Sequence, residues 1–471
     1  MQRYQVLTQN ELEQIHETSL RILDKVGIVM PHEQALEILK KGGARVDGKR
    51  AYFSREMVER TMKTVPPSFT LYSRNPEKNV EITTQNTVFA GPNCPPFVQD
   101  LDKGRRPGTI EDFNNIAKLC HMLDNIDLQS NVYCEPQNVN ENIRHMEMVY
   151  NAFKYNEKPL MGGTLGYEVS KQCIELAAIP FGGTDAIKDK PIMSSIPCTL
   201  TPLSYDPAMI GAIIAYAEYG QVQLVNSLVI AGATTPVTLA GAIALQNAEV
   251  LAGIMLSQLV NPGTPVVYSA AGTNADMRSG SLAIGSPEDA LFSLVNGQLA
   301  KYYNIPCRIS GALTDSKLVD AQAGYESMMN LMTAQMAGGN FILHGVGILE
   351  TYNCTSYEKL IMDNELIGMV KRINRGVEVN EDTLAFDVIE EVGPEGAFIG
   401  HLHTLMNFRE ELYMPSLSDR NTAVKWKADG AKSAEQNANA QWKKMLEEYE
   451  EPKLSPEVDA EMRKYIETHN V

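Results

Sequence analysis

The sequence has a shortage of positive charge. It carries 41 lysine and arginine residues against 58 aspartate and glutamate residues, which gives a formal net charge of −17 at pH 7. A surface with this balance repels the phosphates of nucleic acids and anionic lipid headgroups. We therefore expect neither nucleic acid nor a membrane as a partner, and the same charge also favours solubility.

Cysteine pairs and long apolar runs are missing as well. The seven cysteines are widely scattered without a Cys-x-x-Cys motif, which is typical of reduced thiols in a cytoplasmic protein. The N-terminus has no apolar core of the signal-peptide kind. The most apolar stretch, 228–260, is interrupted by Pro236, Gln246, Asn247 and Glu249. It therefore predicts a buried strand and helix, not a membrane span.

Motifs for metals and nucleotides are also scarce. His401 and His403 form one closely spaced pair, but no set of cysteines or carboxylates with ligand spacing accompanies them, so we expect no metal site. No Gly-x-Gly-x-x-Gly motif stands at a first strand–helix turn, which argues against a dinucleotide-binding domain.

What the sequence does contain is a regular alternation of apolar, β-branched runs with helical segments between about residues 86 and 372. Strands with little internal alternation, each followed by a helix, indicate a parallel sheet covered on both faces. Eight such units predict a closed (β/α)8 TIM barrel of the α/β class, with an open doubly wound sheet as the alternative. The predicted strands are 87–91, 128–134, 159–163, 192–196, 223–229, 265–270, 306–311 and 341–346.

Two additions flank the predicted barrel. Residues 1–85 form an N-terminal α+β cap, in which Thr8 and Glu11 predict a capped helix and the turn at Gly48 predicts a small hairpin. Residues 373–471 are polar and rich in helix formers, and they predict a C-terminal helical extension. We expect this extension to pack on the barrel or on a second subunit of a homo-oligomer.

In barrel enzymes the chemistry takes place where the strands end. The loops after the predicted strands are rich in glycine, proline, threonine, asparagine and aromatic residues. His344 is the only histidine on a predicted barrel strand, and it is either functional or a satisfied core histidine. Aromatic side chains at the mouth would suit a cationic ligand such as a quaternary ammonium, although packing explains any single one. They are Phe97, Tyr133, Tyr205, Tyr268 and Tyr352.

Several segments resemble the trimethylamine methyltransferase family. The run 311–317, Gly-Ala-Leu-Thr-Asp-Ser-Lys, is followed by a second similar segment at 320–326. Further segments at 20–28, 90–93 and 286–288, together with Trp426, extend the resemblance over nearly the whole chain.

The resemblance implies a TIM-barrel methyltransferase that passes a methyl group from an amine to the cobalt of a corrinoid on a small partner protein. The chain has no Asp-x-His-x-x-Gly segment with which to hold a corrinoid itself. Trimethylamine members carry pyrrolysine near the end of the seventh strand, where this sequence has Gly311 or a close neighbour. Members without pyrrolysine resemble quaternary-amine demethylases, so the implied substrate is glycine betaine, or else proline betaine or carnitine.

The positions at the strand ends, together with the resemblance at Gly311, give a set of candidate site residues. His344 and Gly311 are the catalytic candidates, and Asn274 joins the five aromatic residues as a substrate-binding candidate. The candidate donors to the substrate's carboxylate are Asn274, Thr314, Lys317, His344 and the backbone of the Gly232 or Gly272 loops. The corrinoid-binding candidates are Gly232, Gly272, Thr314, Asp315 and Lys317.

Two other functions stay open at this point. One is a lyase or aldolase that uses Lys317 as an imine-forming amine. The other is a betaine-binding protein without catalytic activity.

Overall fold

The computed structural model describes residues 4–470, and its N-terminal part packs around one side and one end of a barrel. Thr8 caps the first helix in a capping box with Glu11, and the predicted hairpin is present as an antiparallel pair. In chain order the elements are α1 (Gln9–Arg21), a π-helical turn (Ile22–Val26), β1 (Ile28–Val29), α2 (Glu33–Lys41), β2 (Arg45–Asp47), β3 (Arg50–Tyr52), α3 (Arg55–Met62), β4 (Ser68–Leu71), a 3-10 turn (Pro76–Lys78) and β5 (Val80–Thr83).

The middle of the chain alternates strands and helices as the sequence predicts. Its elements are β6 (Val88–Phe89), β7 (Phe97–Gln99), β8 (Arg106–Pro107), α4 (Ile110–Met122), α5 (Glu141–Tyr155), β9 (Leu160–Met161), α6 (Tyr167–Ala178), β10 (Met193–Ser195), α7 (Pro207–Glu218), β11 (Val222–Ala231), α8 (Leu239–Val260), β12 (Val266–Asn274), α9 (Pro287–Tyr303), β13 (Cys307–Ser310), α10 (Ala321–Ala337), β14 (Phe341–Leu343), β15 (Ile348–Leu349), β16 (Cys354–Ser356) and α11 (Tyr357–Arg375). Two 3-10 turns, Ile179–Phe181 and Thr184–Ile187, follow α6.

Seven of these strands form one parallel sheet in the order β6-β14-β13-β12-β11-β10-β9. The segment around Leu128 joins the two edges of this sheet. It pairs in parallel with Ala90 on the β6 side, and the Gln129 amide donates to the Pro159 carbonyl on the β9 side at 2.9 Å. The sheet is therefore a closed eight-membered barrel, and the open-sheet alternative is wrong.

The β4–β5 hairpin fills the end of the barrel at which the strands begin. Its side chains Phe69, Leu71 and Ile82 are buried in one apolar cluster with Leu224 and other residues of the barrel strands. Because alternate residues of a strand point to the same face, Leu224 faces this plug, whereas Asn226 lies further along the lumen. The lumen is closed by apolar packing at this end.

A small sheet that the sequence does not predict lies beside the other end of the barrel. Its strand order is β15-β16-β7-β8, and it joins the loop after β6 to the loop after β14. Each strand has only two or three residues, which is too short to produce a recognisable alternation of apolar and polar residues.

Helix α8 is long and apolar enough to cross a membrane by composition alone, but 78% of its most apolar window is buried inside the protein. It packs between the barrel and α1 to α3. Its Glu249 accepts hydrogen bonds from the hydroxyls of Thr199, Thr201 and Ser227. The interruption of this stretch by polar residues therefore predicted a core helix, and the structure confirms it.

The C-terminal part is helical, as the sequence predicts, and its last two helices pack on the barrel. Trp442 of this part contacts Tyr357 at a ring distance of 4.8 Å, and Arg463 pairs with Glu147 at 2.9 Å. The helices are α12 (Glu381–Leu384), α13 (Phe386–Val392), α14 (Leu402–Glu411), α15 (Ala423–Ala428), α16 (Ala434–Glu447) and α17 (Pro456–Thr468). Helices α12 to α15 bury no residue.

Candidate functional site

A cavity of about 740 Å³ lies at the end of the barrel where the strands stop. Its apolar wall includes Met148, Val169 and Leu228. The polar residues that line it are Asn93, Cys94, Asn131, Glu135, Glu141, Arg144, His145, Thr164, Cys198, Asn226, Arg308, His344 and Tyr352. The cavity therefore lies where the sequence analysis expects the chemistry of a barrel enzyme.

Arg308 is the unusual member of this lining. It stands on β13 in the middle of the lumen and is only 2% exposed. One guanidinium nitrogen, Nη2, lies 3.1 Å from His344 Nδ1, while Nε and Nη1 have no hydrogen-bond partner. The other arginine of the cavity, Arg144, instead pairs with Glu135 at 2.6 Å. A buried cation without a counter-ion is costly, so this arrangement indicates a place for an anion.

Asp289 interacts electrostatically with Arg308, but its carboxyl group does not contact the guanidinium. Among the described residues, no acidic side chain forms an ion pair with Arg308 within 4.0 Å, and the two charges interact only at longer range. Burial raises the pKa of the Asp289 carboxyl well above its usual range, which favours its neutral form. The Arg308 guanidinium therefore has no carboxylate of residues 4–470 in contact with it.

His344 holds Arg308 in place. Its Nε2 lies 3.1 Å from the Asn93 carbonyl oxygen, which can only accept a hydrogen bond, so Nε2 carries the proton. Nδ1 is then the acceptor for Arg308. Burial, together with the charge of Arg308, holds the pKa of His344 well below its usual value. The imidazole is therefore neutral and orients the guanidinium, and it is not an acid at neutral pH.

The other titratable groups at the centre of the cavity are also neutral. Burial raises the pKa of Tyr352 to about 12 and raises that of Cys198. The Tyr352 ring packs edge-on against His344 with 5.0 Å between centroids. Among residues 4–470 no group of three or more His, Cys, Asp or Glu side chains is placed to hold a metal ion.

The structure brings together two of the predicted site residues, His344 and Tyr352, and places the other aromatic residues elsewhere. Tyr133, Tyr205 and Tyr268 are fully buried, and their hydroxyls donate to protein acceptors outside the lumen. Side chains alternate between the two faces of β12, and Tyr268 is three residues before Ala271, which lines the cavity. The Tyr268 side chain therefore points away from the lumen. The ring of Phe97 lies in the small sheet beneath Arg105, 3.7 Å from the guanidinium carbon. The expectation that the five aromatic residues meet at the mouth is therefore wrong, because only Tyr352 among them lines the cavity.

Gly311 and Gly272 lie in the barrel wall. A Cβ at Gly311 would stand 2.8 Å from both the Gly345 Cα and the His344 carbonyl oxygen. A Cβ at Gly272 would overlap the Phe292 ring. These two glycines permit close packing and do not line the cavity, although Gly311 lies against the backbone that carries His344.

The remaining predicted residues form hydrogen bonds between the loops at the mouth of the barrel or lie at the rim of the mouth. Asn274 accepts a hydrogen bond from the Ser286 hydroxyl at 2.8 Å. Thr314 donates to Glu326 at 2.6 Å, and Asp315 accepts from the backbone amide of Ile284 at 3.2 Å. Gly232 turns the chain after β11 with a positive φ of 86°. Lys317 is exposed, and its ammonium donates to the Asp315 carbonyl at 2.6 Å.

Sequence reasoning missed Arg308, and a signal for it was available. The candidates predicted on the strands themselves were histidine, tyrosine and glycine residues, and the charged and amide residues of the strands were not among them. In the segment Cys307–Ser310 a single arginine interrupts an apolar strand, and a charge in such a position demands a partner. Asn226, which also lies on a predicted strand, was missed for the same reason. Asn93 and Cys198 follow predicted strands, but nothing in the sequence distinguishes them from the other residues of those loops.

Comparisons with known proteins agree over the full length of the chain. A sequence profile described as trimethylamine methyltransferase matches residues 1–471. The glycine betaine methyltransferase of Desulfitobacterium hafniense is 47% identical over 98% of this chain and 97% of its own length. The proline betaine:corrinoid methyltransferase of Eubacterium limosum is 32% identical over 87% of this chain and 86% of its own.

Other relatives carry different substrate names. A trimethylamine methyltransferase of Desulfitobacterium hafniense is 32% identical over 97% of this chain and 92% of its own length. The crystal structure of the monomethylamine methyltransferase of Methanosarcina barkeri covers 96% of both chains with a TM-score of 0.49 and 11% identity. The strand pairing within this chain shows the closed barrel, independently of that structural likeness.

Proposed function

Since the chain belongs to the trimethylamine methyltransferase family, we propose that it transfers a methyl group from a quaternary amine with a carboxylate to the cobalt(I) of a corrinoid on a partner protein. Glycine betaine is the first candidate substrate, with proline betaine and carnitine next. The products are a tertiary amine and a methylated corrinoid. The observation that carries this substrate is the buried, unpaired guanidinium of Arg308 beside the cavity.

Arg308 and His344 give the betaine an orientation. A carboxylate that enters the cavity supplies the missing counter-charge, and charge-assisted hydrogen bonds to a guanidinium are the strong ones. The trimethylammonium end then points away from Arg308 and towards the mouth. Like charges repel, so the same cation also keeps the quaternary nitrogen at a distance. The protein thereby turns the methyl groups towards the acceptor.

The neutral states of His344 and Tyr352 suit a quaternary nitrogen. Cobalt(I) supplies the electron pair that attacks the methyl carbon, and the electrons of the broken C–N bond stay on the amine. Because the nitrogen begins with a positive charge, the amine leaves neutral and needs no proton. The neutral states of His344 and Tyr352 agree with a reaction in which the protein orients the substrate and excludes water.

The rim of the mouth suits a protein partner. Five exposed apolar side chains stand on loops that follow five consecutive barrel strands, β9 to β13. They are Leu165, Leu200, Val237, Met277 and Leu318, each at least 59% exposed. An apolar rim around a cavity marks a docking surface, and here it would seal the mouth against water when the corrinoid protein binds. Among the predicted corrinoid contacts, Gly232 and Lys317 lie at this rim, whereas Gly272 and Thr314 lie behind it.

The cytoplasm is the compartment that we propose for this reaction. The seven cysteines all lie within residues 4–470 and form no disulfide bond. This accords with a reducing environment, which a cobalt(I) acceptor needs.

Methylation of free cob(I)alamin, followed by its spectrum, tests the proposal. We expect methylcobalamin and dimethylglycine from glycine betaine, a slower but measurable reaction with tetramethylammonium, and none with trimethylamine. Equal rates with trimethylamine and glycine betaine would contradict the substrate assignment. Betaine binding without methylation would favour the binding-protein alternative, and a borohydride-trapped adduct on Lys317 would favour a lyase.

The expected pH dependence of the reaction follows from the neutral states of His344 and Tyr352. The folded-state pKa of His344 lies well below its usual value and that of Tyr352 is about 12. Neither group changes its charge in between, so we expect kcat/KM for glycine betaine to stay flat from about pH 6 to pH 8. A steady-state pH profile in the presence of chemically reduced cobalamin measures it. A rate that falls tenfold per pH unit on either side of pH 7 would show that a general acid or base takes part.

Substitutions of His344 separate orientation from acid–base catalysis. We expect His344→Leu to lower kcat/KM for glycine betaine at least about tenfold, equivalent to about 1.4 kcal/mol, mostly through KM. His344→Gln can accept from Arg308 and donate to the Asn93 carbonyl, so it should recover much of this loss. If the glutamine variant is as poor as the leucine variant although both melt like the wild type, the imidazole itself takes part in the reaction.

A further inference from the structure

Exposed apolar side chains are concentrated in one segment of the chain that follows the barrel. Of the 25 large apolar residues that are exposed within residues 4–470, thirteen lie between residues 373 and 414, which we call the arm. They are Ile373, Val377, Val379, Leu384, Phe386, Ile389, Phe398, Ile399, Leu402, Leu405, Met406, Leu412 and Met414. Scattered apolar residues on a surface are ordinary, but such a cluster marks an interface.

The helices of the arm turn their apolar faces to solvent. On α14, Leu402, Leu405 and Met406 follow an i, i+3, i+4 pattern and are 65%, 60% and 71% exposed. On α13, Phe386 and Ile389 share one face in the same way. Helices of four to ten residues are not stable in water without a packed face. The arm therefore needs a permanent cover.

The arm is attached at the end of the barrel opposite the mouth. Arg372 and Arg375, at the end of α11, pair with Glu411 at the end of α14, at 2.9 and 3.7 Å. The neighbouring Lys371 donates to the carbonyl of Asn125 at 3.4 Å, and Asn125 lies just before the barrel segment around Leu128. The arm is therefore anchored at the end of the barrel opposite the mouth, and the mouth is where we propose that the corrinoid protein docks.

We propose that the arm is the contact between two copies of this chain, joined by a two-fold axis. Thirteen exposed apolar side chains can bury on the order of 1,000 Å² per subunit, which is the size of a stable interface. A cover that must be present whenever the helices form is best supplied by a partner at equal concentration, and a second copy meets this condition. A two-fold axis lets one self-complementary patch serve both subunits.

Electrostatics add a distinctive signature. The arm is rich in carboxylates, among them Glu381, Asp382, Glu390 and Glu391. Two arms in contact repel each other through these charges, and dissolved salt screens exposed charges over about 10 Å at 0.1 M. The apolar contact is insensitive to this screening. We therefore expect the association to become tighter as sodium chloride is raised.

Sedimentation velocity of the full-length chain at micromolar concentration tests the proposal. We expect at least twice the monomer mass of 52.0 kDa, with a larger associated fraction at higher salt. The double variant with Leu402→Glu and Met406→Glu should sediment as a monomer. The matched control with Leu402→Met and Met406→Leu keeps the face apolar and should associate like the wild type. A monomeric wild type, or a charged variant that keeps the wild-type mass, would overturn the proposal.

Hydrogen exchange distinguishes a variant that has lost only the subunit contact from a variant that fails to fold. In the wild type, the amides of α13 and α14 should exchange slowly and become fast in the monomeric variant, while the barrel strands remain protected. Activity with free cobalamin should persist in that variant, because the arm lies opposite the mouth. Fast exchange of α13 and α14 in the wild type would show that nothing covers them and would overturn the proposal.

Discussion

Arg308→Met is expected to lower kcat/KM for glycine betaine by about two orders of magnitude. The substitution removes the cation that binds the carboxylate, and the loss of one partner from a buried charge pair costs about 2–5 kcal/mol. The effect should appear mainly in KM, because the carboxylate stays bound in both the ground state and the transition state. Methyl transfer from tetramethylammonium, which has no carboxylate, should change little. Steady-state methylation of cob(I)alamin with both substrates gives the comparison.

Arg144 provides the control for this experiment. It lines the same cavity but already has Glu135 as its partner, so Arg144→Met should reduce kcat/KM for glycine betaine less than about tenfold. If the two arginine variants lose the same activity, the cavity requires positive charge in general. The assignment of the carboxylate to Arg308 would then be wrong.

The same substitution should have the opposite effect on stability. A buried guanidinium with unpaired nitrogens destabilises the folded protein, and an apolar side chain of similar length removes that cost. Without substrate, Arg308→Met is therefore expected to melt at the wild-type temperature or above it. With saturating glycine betaine only the wild type should gain in melting temperature, because only it binds the ligand tightly. A variant that melts far below the wild type would identify Arg308 as a structural residue.

Gly311→Ala is expected to destabilise the barrel by about 1–3 kcal/mol and to disturb His344. Its new Cβ would meet backbone atoms of Gly345 and His344 at 2.8 Å, and backbone inside a closed sheet has little freedom to shift. The displaced His344 would orient Arg308 less well, so the catalytic rate per folded molecule should fall as well. Chemical unfolding and betaine turnover measure the two effects separately.

Gly324→Ala is the matched comparison, since it adds the same methyl group in open space. Gly324 lies in the first turns of α10 and a Cβ there meets no atom within 4 Å. Alanine is the better helix former by about 1 kcal/mol, so this variant should be as stable as the wild type or more so. Equal stability of the two alanine variants would mean that the barrel wall at Gly311 adapts.

The sequence predicts the barrel well because long, repeated patterns determine it. Each of the eight predicted strands overlaps a strand or bridge of the barrel, and even the irregular one at Leu128 is detected from its apolar run. The small sheet beside the mouth was missed because a strand such as Arg106–Pro107 is formed by its neighbours and not by a local pattern. Contacts between distant segments decide such elements.

The candidate site was predicted less well, for a reason of geometry. A sequence shows which residues end a strand, but the face of the strand decides which side chains enter the lumen. Tyr268 and Arg308 stand on adjacent strands and are both fully buried, yet only Arg308 borders the cavity. In β13 the side chains of Cys307 and Ile309 share one face, so Arg308 must point to the other face, towards the lumen. This alternation could have identified Arg308 from the sequence. The pairing of Arg308 with His344 depends on a three-dimensional contact between neighbouring strands and could not be read from the sequence.

The plug formed by the β4–β5 hairpin sets the order of events in each turnover. Because it closes the far end of the lumen, the betaine, the methyl acceptor and the demethylated amine share one route. In the proposed binding mode the demethylated product keeps its carboxylate at Arg308, below the docked acceptor protein, so it leaves only after that protein has moved away. An acceptor that docks before the betaine blocks the route. The rate should therefore pass through a maximum as the carrier concentration rises, and more betaine should move that maximum to higher carrier concentrations.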